Sequence, residues 1–215
     1  MGHYRVYGRP NTGSFAPEML LTEIGQPYEL VPISKEAGQS AAYKAICPTA
    51  VVPALALPDG EIVLESAAIC IHLTLAHPEA GLAPQPGSPA HASFLQWMVY
   101  LSNSLYEGCR RVNYADIYTA GGPAEAAMVK EKAYADTLVA YDLLEAALAK
   151  GPGPGLLGAI TAVDHYLFML MTWHPEGEGA LYKPYPKLAR LAQAIRSRAP
   201  LKALIEENAG PPPAV

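Results

Sequence analysis

The stretch Val51-Val52-Pro53-Ala54-Leu55-Ala56-Leu57-Pro58-Asp59-Gly60-Glu61-Ile62-Val63-Leu64-Glu65-Ser66 organises the first third of the chain. Ala54 to Leu57 and Ile62 to Leu64 are apolar runs, and Pro58-Asp59-Gly60 between them is a hairpin signature. Ser66 then opens an apolar helix ending near His77-Pro78. Upstream, Tyr4-Arg5-Val6-Tyr7 alternates and reads as a short strand. Gly8 to Gly13 is a turn-rich loop. Ser14 is placed to cap a helix running to about Ile24, with Glu18 in its first turns and Gly25 as its stop. Tyr28 to Val31 reads as a second strand, and Ser34 to Ile46 as irregular chain with a helical turn. The order β-α-β-(α)-β-β-α predicts a small mixed sheet with helices packed on it.

Downstream the pattern changes. Residues 79–88 are rich in proline and glycine and read as a linker between a first domain, 1–78, and an all-helical domain, 89–215. Phe94, Trp97, Leu101 and Leu105 recur at helical spacing. Gly121-Gly122-Pro123 ends that region. Tyr134, Leu138, Tyr141, Leu144 and Leu148 mark a second long helix, stopped by Lys150-Gly151-Pro152. Thr161-Ala162-Val163-Asp164 is a capping box with Asp for the usual Glu. The helix behind it carries Tyr166, Leu167, Leu170 and Trp173. Helices follow from about Pro186 to Ala199 and from Leu201 to Asn208. Trp97, Phe168 and Trp173 are assigned to the core.

Composition narrows the functional classes. The chain has 215 residues, 51% of them hydrophobic and 16% charged, against a usual charged share of roughly 25%. That excludes a disordered chain. Fifteen Lys and Arg against 20 Asp and Glu give a formal charge of −5 with neutral histidines. Without a basic run, the chain is not expected to bind nucleic acid. No apolar run reaches the roughly 18 residues of a membrane span, and Met1-Gly2-His3-Tyr4-Arg5 lacks the apolar core of a signal peptide. Cys47, Cys70 and Cys109 form neither a CxxC pair nor a zinc spacing, so no metal is expected and reduced thiols point to the cytoplasm.

Two positions carry chemistry. Proline at Pro53 suits a strand start in the trans form. A cis Val52–Pro53 bond would instead turn the Val52 N–H and C=O outward, towards an extended peptide ligand. Glu65-Ser66 reads as a helix cap, or as an anion site at a helix N-terminus with Glu65 beside it for an ammonium. A small ligand with an α-amino and an α-carboxylate group would satisfy both residues.

Tyr7-Gly8-Arg9-Pro10, Ser14-Phe15-Ala16-Pro17, Pro48-Thr49-Ala50-Val51-Val52-Pro53-Ala54-Leu55, Glu65-Ser66-Ala67-Ala68-Ile69, Leu156-Leu157-Gly158 and Thr161 to Asp164 occur in an order that resembles the cytosolic glutathione S-transferases. Ser-Phe-Ala-Pro brings the bacterial, beta-like branch nearest. The resemblance implies a thioredoxin-like α/β domain, an all-α second domain and a homodimer. It also implies a cytoplasmic transferase of detoxification type, with glutathione as co-substrate and a small hydrophobic electrophile as partner. Carried over, Val52 and Pro53 would meet the peptide backbone of glutathione, Glu65 and Ser66 its γ-glutamyl end, and Lys35 its glycine carboxylate. The thiol-activating position of the beta-like branch falls on Gly13 instead of cysteine. Ser14 and Thr12 stand level as replacement donors, Asn11 follows them, and Tyr7 is an outside candidate. Loss of that cysteine favours conjugation over disulfide reduction. Tyr106, Arg110 and Tyr114 are the candidate electrophile contacts. Two alternatives stand beside the transferase: a glutathione-dependent lyase, dehalogenase or isomerase, and a non-catalytic binding module.

Overall fold

A computed structural model of the chain describes residues 2–213. Their contacts divide them into two compact units: the chain up to Gln85 together with Arg196–Pro211, and Pro86–Ile195.

The first unit holds β1 (Tyr4–Gly8), α1 (Phe15–Ile24), β2 (Tyr28–Pro32), α2 (Lys35–Gly38), α3 (Ala41–Lys44), β3 (Ala54–Ala56), β4 (Ile62–Leu64) and α4 (Ser66–Ala76). The four strands lie in the order β2-β1-β3-β4. β1 and β2 run parallel, and the other two pairs antiparallel. Side chains alternate across this sheet. Tyr7, Ala54 and Ala56 pack with Ile33, Tyr43 and Cys47. Val6 and Leu55, both fully buried, are left to the opposite face, where α1 and α4 pack together and α4 meets β3 and β4. The hairpin turns at Gly60, whose φ of 97° suits glycine.

Two local readings need correction. Ser34 to Ile46 forms two short helices, because Ser34 Oγ accepts from the Ala37 N–H at 3.0 Å and Ser40 Oγ from the Tyr43 N–H at 3.2 Å. Ser14 stands at the N-cap of α1 but makes no side-chain cap bond. The third residue of that helix is Pro17, which has no N–H to offer. Gly25 does end α1, with φ 78°.

The second unit is helical: α5 (Pro89–Tyr100), α6 (Glu107–Asn113), α7 (Pro123–Lys150), α8 (Ala162–Met171), α9 (Glu178–Tyr182) and α10 (Pro186–Arg196). A π-helical segment, Leu101–Tyr106, joins α5 to α6. All ten residues of α8 are buried, as befits a helix apolar on every side. Its start is held by Asp164, whose carboxylate accepts from the N–H groups of Leu156 and Thr161, each at 2.8 Å, and from Thr161 Oγ1 at 3.0 Å. Burial pushes the Asp164 carboxyl up, and these donors oppose the shift. Phe168 is fully buried, but Trp97 and Trp173 are only partly so.

The C-terminal segment departs from the expected division. The 3₁₀ turn Ala199–Leu201 packs on α1, and α11 (Lys202–Ala209) follows it. Arg198 pairs with Glu23 of α1, and Leu201 and Ile205 are buried. These contacts group residues 196–211 with the sheet. Among the described residues no helix is long and apolar enough to cross a membrane.

Candidate functional site

Strand register gathers the candidate residues at one end of the sheet. Tyr7 pairs with Ala54, Ala54 with Leu64, and Tyr7 with Val31 on its other side. The chain leaves this row from Tyr7 into the loop 9–14 and enters it through Val52 and Pro53. It leaves again from Leu64 into Glu65 and Ser66, and from Val31 towards Lys35. Among the described residues, three that are not glycine have positive φ: Asn11 at 56°, Ala50 at 59° and Glu65 at 68°. Each sits in one of these connections. A side chain in this region costs roughly 1–2 kcal/mol, and such residues cluster at functional sites.

The loop after β1 is tied inward. Gly8 is required there, because a Cβ would stand 2.3 Å from the Ser14 Cβ. Arg9 Nη1 donates to the Ile33 carbonyl at 2.9 Å. The Arg9 carbonyl accepts from Thr12 Oγ1 at 2.7 Å and from Ser14 Oγ at 3.2 Å. Ser14 is fully buried. The two favoured hydroxyls are therefore already engaged within the loop, where they also lie 3.2 Å from each other. Asn11 is exposed, and its side-chain amide has no hydrogen-bond partner among the described residues. Gly13 is buried beside them.

The loop before β3 is braced from the sheet. The Val52–Pro53 bond is cis. The Val51 carbonyl accepts from the Tyr43 hydroxyl at 2.7 Å and from the Cys47 thiol at 3.3 Å. Burial pushes the Tyr43 hydroxyl up, which keeps it a donor. Cys47 is buried, with Sγ also 3.2 Å from Thr49 Oγ1. Neither backbone group of Val52 has a hydrogen-bond partner among the described residues. No sequence signal marks Tyr43 for this role.

At α4, Glu65 is exposed and Ser66 buried at the first helical position. Glu65 makes no side-chain cap bond. The first bond of this turn runs from the Ile69 N–H to the Glu65 carbonyl at 2.9 Å, which leaves the amides of Ala67 and Ala68 without helical partners. Lys35 is exposed at the start of α2.

The remaining candidates lie in the helical unit. The Tyr106 ring packs edge-on to Trp173 at 5.0 Å and stacks on Tyr166 at 6.3 Å. Arg110 donates to Glu107 at 3.3 Å and lies over the Tyr118 ring at 5.9 Å. Tyr114 follows α6 and is 47% exposed, so it is the most open of the three.

Residues 16–81 match the family model of the glutathione S-transferase N-terminal domain. The GST-like protein YncG of Escherichia coli is 27% identical over 207 residues, covering 95% of this chain and 98% of that protein. A glutathione transferase homologue from Sulfitobacter, solved with bound glutathione, superposes with a TM-score of 0.85 at 25% identity, over 97% of this chain and 100% of that one. A beta class glutathione S-transferase from Sphingomonas chungbukensis shares the fold, with a TM-score of 0.80 at 22% identity over 96% and 100% of the two chains. The resemblance read from the motifs is borne out: residues 16–81 match the glutathione S-transferase N-terminal domain, and the chain has the glutathione S-transferase fold.

Proposed function

We propose that this protein is a glutathione transferase that binds glutathione at the β1–β3–β4 end of the sheet and delivers its thiol to a small apolar electrophile. The reading rests on the Tyr7–Ala54–Leu64 row, which brings three strained connections to one place. The residues there fit a γ-linked tripeptide. Val52 offers an unpaired N–H and C=O to an extended backbone, next to Pro53. Glu65 faces the ligand ammonium. Ser66 and the open amides of α4 take the α-carboxylate, and Lys35 the carboxylate at the far end.

Bound glutathione supplies the nucleophilic thiol, whose free pKa is about 8.5. A donor aimed at the sulfur favours the thiolate. Ser14 and Thr12 would have to give up the Arg9 carbonyl to serve, whereas Asn11 would not, so the geometry reverses their order and favours the Asn11 carboxamide. For the second substrate the helical unit offers Arg110 and Tyr114, with the Tyr106 ring already engaged in packing. We place the protein in the cytoplasm as a homodimer, in keeping with its three free, buried thiols and with the family resemblance.

Calorimetric titration with glutathione, in two buffers of different ionisation enthalpy, tests this reading. Wild type is expected to bind with proton release. Asn11→Ala should bind with little release, and Ser66→Ala about tenfold or more weakly. No binding by folded wild type refutes the site. Unchanged release from Asn11→Ala returns the donor role to Thr12.

A further inference from the structure

We propose that Asn208, near the C-terminal end of the chain, is a positioning residue for Asn11. The inference rests on the reading of Asn11 as the thiol donor and extends it to the element that holds that donor in place.

Asn208 Oδ1 accepts from the Asn11 N–H at 2.9 Å, across 197 positions of sequence. Its Nδ2 donates to the Leu204 carbonyl at 3.0 Å, one turn back on α11. The carboxamide is therefore held at both ends, and it is 8% exposed. Its partner, Asn11, is a non-glycine residue with positive φ. Asparagine tolerates the left-handed region better than most residues, yet it still has extended alternatives. Those alternatives re-aim the Asn11 N–H, so an acceptor fixed on that N–H selects the left-handed form.

The rest of the loop cannot do this. Arg9, Thr12 and Ser14 are tied to one another and to Ile33, but Asn11 has no other hydrogen bond among the described residues. The platform carrying Asn208 is itself docked within the same unit. Arg198 pairs with Glu23, Arg196 Nη1 donates to the Gly210 carbonyl at 2.9 Å, and Ile205 is buried one turn before Asn208. Asn208 thus connects α11 to the backbone of the proposed donor without being expected to touch glutathione.

The test follows thiolate absorbance of bound glutathione across pH in wild type, Asn208→Ala, Asn11→Ala, the double variant and Ile205→Val. Wild type should lower the bound thiol pKa. Asn208→Ala should raise the bound thiol pKa by about one unit, a tenfold shift in the thiolate-to-thiol ratio, while glutathione affinity changes by less than roughly threefold. The double variant should match Asn11→Ala alone, because a residue acting through Asn11 has nothing left to act on. Ile205→Val, a mild loosening of the same helix, should leave the thiol pKa unchanged.

An unshifted thiol in wild type overturns the Asn11 reading, and this proposal with it. A shifted thiol that Asn208→Ala leaves intact overturns only the role of Asn208. Additive losses in the double variant, or an equal shift in Ile205→Val, would mean general loosening and overturn it too. Amide hydrogen exchange of Asn11 in wild type provides a check independent of any variant. Protection beyond that of a free loop amide is expected, and its absence sinks the proposal.

Discussion

Glu18 lies on α1 at 2% exposure, and its Oε1 has no hydrogen-bond partner among the described residues. Burial pushes its carboxyl up to about 7, the nearby Glu207 adds to the rise, and Ser14 pulls the other way. The folded state therefore holds a proton that the unfolded chain releases near the ordinary value of 4.5. Stability should fall as pH rises through that window, from about 4.5 to about 7, and stay lower above it. Replacing Glu18 with Gln should flatten this slope and stabilise the protein at pH 8 by about 1–3 kcal/mol. Urea midpoints of both proteins across pH test it; parallel curves would exclude Glu18 as the cause. The sequence shows Glu18 as an ordinary first-turn acid. Nothing local announces its burial, since Glu207 reaches it only through the folded C-terminal segment. Ser14 shows the same limit: its capping reading fails on Pro17, a residue in plain view, but its bond to the Arg9 carbonyl depends on how the loop closes.

At the scale of elements, α8 is the clearest case of local sequence agreeing with the fold. Thr161 and Asp164 have the capping spacing, and the structure adds a third donor, the Leu156 N–H. Asp164→Ala leaves buried donors unpaired and should cost about 2–4 kcal/mol in urea unfolding; a loss under about 0.5 kcal/mol would show that water replaces the carboxylate. The hairpin was equally legible, because Pro58-Asp59-Gly60 must turn and its flanks must alternate. The π segment was not. Leu101 and Leu105 are both buried and keep their helical spacing, so the apolar pattern runs through the wide turn without a break. The cis bond at Pro53 could be posed from sequence only as one of two forms.

Across the whole molecule, the least legible feature is the return of residues 196–211 to the sheet unit. The two closing helices are visible from their periodicity, but periodicity names a buried face without naming its partner. Leu201 and Ile205 bury nearly all their surface, worth about 1.5–3 kcal/mol each. A chain ending at Ile195 should therefore lose protection in α1, with amide exchange there accelerating roughly a hundredfold. Unchanged exchange would show that α1 does not depend on the segment.

The π segment sets an angular offset in the helical unit. α5 and α6 are one rod, cut and rejoined out of phase. Were the six residues Leu101–Tyr106 wound as ordinary α-helix, α6 would turn by roughly 100°. Cys109 and Val112, now buried, would swing away from their present contacts while Arg111 turned towards those of Val112. The winding of that segment therefore sets which face of α6 meets α7.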